Sequence, residues 1–430
     1  MKTVDVVVVG GGIVGTVLAK GLTEQAGLST VLIDATSPSE NPTAKSDFNP
    51  FTDTRVIALA RRTVSELADL GIAVDDLAKH LHGERPPAIK SIEVSDKGHF
   101  GLIDLKSDDF HIDAFGQVVA LSALTRLAID ASSEYDYLAP ATVTAVSQNK
   151  KSIEVTLDNG EVISTKLVVL ADGGRSPLAQ HLGITKTTRD YQQTAIVFNV
   201  HTQLPHHNKA YERFTASGPL AFLPFDSEIA GNHAQGNGFS VVWTVAHCDA
   251  QRLMDMDDKA FLSALQQAFG YRQGTVLRVS ERASYPLAMT TANAVVAHRA
   301  VVVGNAAQAL HPIAGQGFNL GLRDICTLIN VVRQAKNNAT NDEFDAGAFA
   351  ITHAYATQRQ PDRDKTVFLT DCLVRAFSNN DLPFVVGRNL GLLAFGLIPG
   401  VKNAFVKQTT GYGEGTADLI TRDRKNYATR

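Results

Sequence analysis

Residues 4–9 read Val-Asp-Val-Val-Val-Val, a nearly continuous apolar run that stops at three glycines. A run without alternation predicts a parallel strand covered on both faces. Val14, Val17, Leu18 and Leu22 then recur at helical spacing, and residues 30–33, Thr-Val-Leu-Ile, form a second short strand. Residues 152–157 alternate, Asp158-Asn159-Gly160 supplies a tight turn, and residues 161–170 resume extended structure, with 167–170 fully apolar. This predicts a hairpin feeding another buried strand. From about 191 to 286 the pattern changes to strand-like runs at 194–200 and 239–246, with proline-containing segments at 218–225 and 285–286 and a polar loop at 226–237. A mostly antiparallel sheet is expected there, its aromatic residues mainly filling a core. Finally a valine run at 301–303 meets a glycine-rich stretch, 304–324, and a helical pattern leaves it at Leu322, Ile325, Ile329 and Val332.

The chemistry sits at the strand ends. Gly10, Gly12 and Gly15 place G-x-G-x-x-G between the first strand and helix, with Ile13 and Val14 opening the helix. Gly10 permits the tight turn, Gly12 lets the backbone approach a pyrophosphate, and Gly15 lets helix and strand pack closely. The helix N-terminus offers free N–H groups to the anion. Asp34 ends the second strand and is placed to accept from a ribose hydroxyl, which disfavours a 2′-phosphorylated nucleotide at this site. Asp172 and Gly173 follow the strand ending at 170, where open α/β sheets bind ligands, although an acid there also reads as a turn cap.

Composition narrows the classes. Net charge is −4 and no dense basic block occurs outside the extreme C-terminus, which argues against nucleic-acid binding. Three dispersed cysteines fit a reduced, cytoplasmic compartment and no zinc site. His201, His206 and His207 lack ligand spacing and read as a solvated loop. The first apolar run is too short for a signal peptide, and no segment reaches the roughly 20 apolar residues of a membrane span.

Together these motifs resemble the class A flavoprotein aromatic hydroxylases, the group that includes p-hydroxybenzoate hydroxylase. The block His311-Pro312-Ile313-Ala314-Gly315-Gln316-Gly317, with Asn319, Gly321 and Asp324, resembles the signature of the ubiquinone-biosynthesis hydroxylases. The stretches 53–59, 116–119 and 285–287 also look familial. The resemblance implies an α/β fold: a Rossmann-type FAD-binding domain, an inserted mostly antiparallel β substrate domain and a C-terminal helical segment. It divides the chain into FAD-binding parts at 1–80, 116–185 and 291–375, substrate-side parts at 81–115 and 186–290, and a helical segment at 376–430. It implies FAD as cofactor, NAD(P)H as transient electron donor, O2 as co-substrate and a polyprenyl phenol as substrate, within a ubiquinone-biosynthesis assembly.

Carried over by residue, Gly10, Gly12, Ile13, Val14, Gly15 and Asp34 would hold the ADP half of FAD, with Arg55 and Gln117 near the cofactor. Asp172 and Gly173 would lie where FAD and the nicotinamide meet. Gly304 and Asn305 would contact the ribityl chain, and Pro312, Gly315, Gln316, Gly317, Phe318 and Asn319 would wrap the isoalloxazine. Most of the superfamily carries Gly-Asp where this chain has Gly304-Asn305, and the form Gly-Asn-Ala-Ala-Gln resembles the branch acting on 2-polyprenyl-6-methoxyphenol. No acid–base pair stands out. Residues 382–406 are strongly apolar, and their uninterrupted core, 390–401, is flanked by Arg388, Lys402, Lys407 and the tail residues Arg422, Arg424 and Lys425. Two readings of that segment stay open: peripheral contact with anionic lipid at the inner membrane, or a helix packed on the FAD domain. Related hydroxylases of another aromatic or ring position, and a non-catalytic FAD-binding scaffold, are the alternatives.

Overall fold

In the computed structural model, residues 1–36, 50–79, 81, 84–98, 101–131, 135–339, 344–377 and 399–413 are described. The first apolar run becomes the strand Lys2–Val9, paired in parallel with Thr30–Ile33 on one side and Val162–Leu170 on the other. Asp136–Leu138 and Ala300–Val302 extend the same parallel sheet outward. Val6, Val7 and Val8 are wholly buried, which is why neither face of that strand alternates. The expected hairpin is present as Ile153–Leu157 against Val162–Leu170, turning at Gly160.

The second sheet is built on Lys186–Thr202, a 17-residue strand considerably longer than its apolar pattern suggested. It runs antiparallel between Ala283–Ala292 and Gly238–Ala246. From Gly238–Ala246 the sheet continues through Gly218–Pro224 and Lys209–Thr215 to Ser91–Asp96 and Leu102–Lys106. One face packs on the helices His247–Met254 and Asp258–Phe269, forming a core of Phe198, Phe222, Phe239, Phe261 and Phe269. Most of the aromatic residues in this region therefore fill a core. The opposite face is left to the cavity described below.

Two expectations are corrected. The stretch 226–237 is not simply a loop: Glu228–Ile229 and Asn232–His233 form a small hairpin. The histidines do not form a solvated loop either. His201 is buried on the long strand with Nε2 against the Ser227 carbonyl, and His206 is buried with Nδ1 accepting from the Asn208 amide; of the three only His207 is exposed. Their polar neighbours in sequence concealed strand pairing that is long-range.

The last βα unit carries the helix Gln316–Asn338, whose Leu322, Ile325, Ile329 and Val332 are completely buried. Each such side chain contributes on the order of 2 kcal/mol through burial. This helix lies against Ile13–Glu24 so closely that a Cβ on Gly21 would sit 2.2 Å from Ile329 Cδ1. Beyond it, Phe349–Phe377 packs on the same helix and Pro399–Thr409 closes the described chain. Of the apolar segment 382–406, residues 382–398 lie outside the described residues, as do Arg388 and the basic tail. In the part that is described, Val406 is in the core and Phe405 packs against it, while Val401 is exposed. Among the described residues no helix is long and apolar enough to cross a membrane.

Candidate active site

A single cavity of about 1180 Å³ runs from the N-terminal glycines to the free face of the antiparallel sheet. At one end lie Gly10, Gly11, Gly12, Ile13, Val14 and Asp34. Gly10 has φ +110°, and a Cβ there would meet the Ala171 carbonyl oxygen at 2.6 Å. Gly15 is stricter still, since its Cβ would stand 1.8 Å from the Gly10 oxygen. Gly15 does not line the cavity; it fixes the turn that does. By contrast, a Cβ on Gly12 would touch nothing within 4 Å, so its missing side chain leaves room for a ligand rather than for the protein. Gly12 caps the helix Ile13–Glu24 without any side-chain hydrogen bond, leaving first-turn N–H groups for an anion.

Asp34 accepts from the Gly11 amide at 2.5 Å and the Thr36 amide at 2.7 Å. Tyr137, on the neighbouring strand, lines the cavity beside it. Burial, reinforced by the Asp34 charge, pushes the Tyr137 phenol up to about 12, so it stays a neutral donor. Asp172 also lines the cavity, but its carboxylate is engaged by the Gly174 amide and by the amide and hydroxyl of Ser176. The turn-capping reading of Asp172 therefore describes its hydrogen bonds, while Gly173 presents backbone to the cavity. Arg55 reaches the wall with its side chain half exposed, on a loop held by Asp53, which accepts from the Arg55 and Ser122 amides.

The middle of the cavity is formed by Gly304, Asn305, Ala309, Leu310, Pro312, Ile313, Gly315, Gly317 and Phe318. Asn305 is exposed to it, whereas Gly304 is held from behind: Asp324 accepts from the Gly304 amide at 3.0 Å and from Gln308 at 2.7 Å. Asp324 also pairs with Arg359, within a buried set that includes Arg323 and Asp362. These charges are paired and hydrogen-bonded, the condition under which burial is tolerated. The helix starts at Gln316, so Gly317, Phe318 and Asn319 belong to its first turn. Its N-cap, Gly315, is left-handed (φ +60°) and again makes no side-chain cap. Two long helices thus open their N-termini onto one cavity.

Besides Gly15, three residues assigned to the cofactor by motif do not line the cavity. Asn319 is buried, accepting from the Ala60 amide and donating to the Ala58 and Gly315 carbonyls. It ties the strand Val56–Ala60 to the helix start, and so positions the loop rather than facing a ligand. Gln117 lies on the strand Gly116–Ala120 with its amide near Asp75, and Gln316 is likewise absent from the wall. His311 is buried behind Pro312, its imidazole pushed down to about 4 by burial and hence neutral.

The far end is apolar: Ile92, Val94, Ile103, Leu105, Ala221, Leu223 and Val242 from the sheet, with Leu373 and Phe405 opposite. In this wall stands Glu212, which sequence reading missed. Burial without a compensating charge raises its carboxyl to about 7. Its signal was available: in residues 209–215 the period-two pattern puts Glu212 on one face with Ala210 and Phe214.

A two-ended cavity with dinucleotide features at one end and an apolar chamber at the other, on this pair of sheets, fits a flavin-dependent aromatic hydroxylase. Residues 3–346 match the FAD binding domain family. The chain is 34% identical to ubiquinone hydroxylase UbiL of Rhodospirillum rubrum over 416 residues, covering 95% of this chain and 90% of that protein. It is 30% identical to the 3-demethoxyubiquinol 3-hydroxylase of Escherichia coli, with 91% and 94% covered. It is 27% identical to the human mitochondrial ubiquinone biosynthesis monooxygenase COQ6, with 93% and 90% covered. Among solved structures, p-nitrophenol 4-monooxygenase PnpA from Pseudomonas putida superposes with a TM-score of 0.73 at 17% identity, covering 96% of this chain and all of that one. That likeness establishes the fold. The chain belongs to the ubiquinone-hydroxylase family of FAD-dependent monooxygenases.

Proposed function

We propose that this enzyme hydroxylates the ring of a polyprenylated phenol in ubiquinone biosynthesis, using NAD(P)H and O2. The observation that carries the reading is the continuity of one cavity from the glycine turn to a wall of aliphatic side chains. FAD, when bound, supplies the electron relay from NAD(P)H and the activation of O2. Gly12 and the amides after it would hold the pyrophosphate, Asp34 the adenosine ribose, and Asn305 the ribityl chain, to which an amide can both donate and accept. The uncapped N-terminus at Gly315 would hold negative charge on the reduced flavin ring. The aliphatic wall binds the substrate ring and the start of its tail and excludes water, which protects a reactive oxygen donor from wasteful decay. Gly304-Asn305-Ala306-Ala307-Gln308 supports a 2-polyprenyl-6-methoxyphenol substrate over its sibling intermediates, by resemblance.

The test is direct. Purified protein should be yellow, should be bleached by NAD(P)H and reoxidised by air, and should add one oxygen atom to a 2-polyprenylphenol. Asn305→Asp should change flavin content, and Phe318→Ala, which alters a residue of the cavity wall, should alter NAD(P)H oxidation. If neither variant differs from wild type, the assignment of residues 304–319 to the flavin is wrong. Accumulation of an earlier quinone precursor in cells lacking the protein would identify the ring position.

A further inference from the structure

Glu212 occupies the middle of the strand Lys209–Thr215, opposite Val94 on one neighbour and Ala221 on the other, with Val242 beyond. No described residue gives its carboxylate a hydrogen bond or an ion pair. Its sequence neighbours are occupied elsewhere: Tyr211 with Gln273, and Arg213 with the Ala268 carbonyl and Ser95. Across the cavity, the described wall from residues 309–318 and from Leu373, Phe405 and Thr409 carries no ionisable side chain. Asp34, Arg55, Asp172 and Arg175 line the cavity among the nucleotide-side residues. A carboxylate kept in an aliphatic wall without a partner among the described residues is costly, and such a group is better explained by a partner that arrives with the ligand.

We propose that Glu212 is a catalytic residue that takes the hydroxyl proton of the phenol substrate. The inference rests on the phenol reading of the site. The O–H bond breaks, the proton moves to a Glu212 oxygen, and the electron pair stays on the ring oxygen. That pair raises electron density at the ring carbons ortho and para to it, where an electrophilic oxygen atom is received. After oxygen transfer the proton on the attacked carbon shifts to the ring oxygen, which restores the aromatic phenol, and Glu212 releases its own proton to solvent as product leaves. Near-neutral acidity suits a base that must be ionised at rest and protonated in the reaction.

The experiment is equilibrium binding to the FAD-loaded enzyme, read from the flavin absorbance, of 2-prenylphenol and of its methyl ether, which lacks the proton. Wild type should prefer the phenol by about tenfold at about pH 8, the worth of one charge-assisted hydrogen bond, and the preference should shrink as pH falls below about 7. Glu212→Gln should lose most of the preference and all of its pH dependence, while Glu212→Asp should keep the pH dependence at a reduced ratio. Equal affinities for phenol and ether in wild type, or an unchanged pH-dependent preference in Glu212→Gln, would overturn the role of Glu212 and leave the aromatic site standing. Failure of both ligands to bind wild type would overturn the phenol reading and this role with it.

Discussion

Replacing Glu212 by glutamine should stabilise the protein, and by an amount that depends on pH. Folding moves this carboxyl from 4.5 to about 7 because the cavity wall removes water and supplies no counter-charge. A displacement of that size corresponds to about 3 kcal/mol against the ionised form. Between those two values the folded chain holds a proton that the unfolded chain has released. Stability contributed at this position is therefore present at low pH, declines as pH rises through the window, and is fully lost above about 7. Glutamine has no such charge. For a chain of 430 residues the unfolding entropy is about 0.9 kcal/mol per degree, so the difference amounts to roughly 3 °C in melting temperature. Melting curves of flavin-saturated wild type and Glu212→Gln, taken from about pH 4.5 to 8, should start nearly together and separate to that extent in favour of the variant. A separation that is constant with pH would show that Glu212 titrates as an ordinary solvated glutamate, and the account of the wall would be wrong.

The glycine turn gives a paired test. Gly12→Ala should leave the melting temperature of the flavin-free protein unchanged while sharply lowering retained flavin, because its methyl meets ligand space alone. Gly15→Ala should lower both, since its methyl collides with the Gly10 carbonyl; equal behaviour of the two in flavin-free melting would refute the distinction. Arg359→Met leaves Asp324 and Asp362 short of a partner inside the protein and should cost about 3–5 kcal/mol, seen in denaturant titration. It should also loosen flavin, because Asp324 holds the Gly304 turn.

Much of the glycine-turn end of the cavity was legible in the sequence because its constraints are local. A turn that must pass under a carbonyl requires glycine at Gly15, and an acid at the end of a short buried strand marks Asp34. The wholly apolar runs identified the parallel strands before any pairing was known, and the buried positions of Gln316–Asn338 followed from helical spacing. Where the sequence misled, the cause was tertiary. Asn319 sits in the signature block, yet its amide serves the backbone of a strand more than 250 residues earlier. His201 looked solvated among polar neighbours and is covered by a hairpin from 228–233.

The sequence by itself determined a dinucleotide-binding βαβ unit and a second glycine-rich βα turn far along the chain, because spacing and residue type set those features within a few residues, and its motifs carried a resemblance to the family. Only the tertiary structure decided that both turns open onto one cavity, and that a sheet assembled from 91–106 and 186–292 closes its far end. It also decided that Glu212 faces that cavity without a partner among the described residues. Solvation of a side chain depends on every element packed around it, and those elements come from distant parts of the chain.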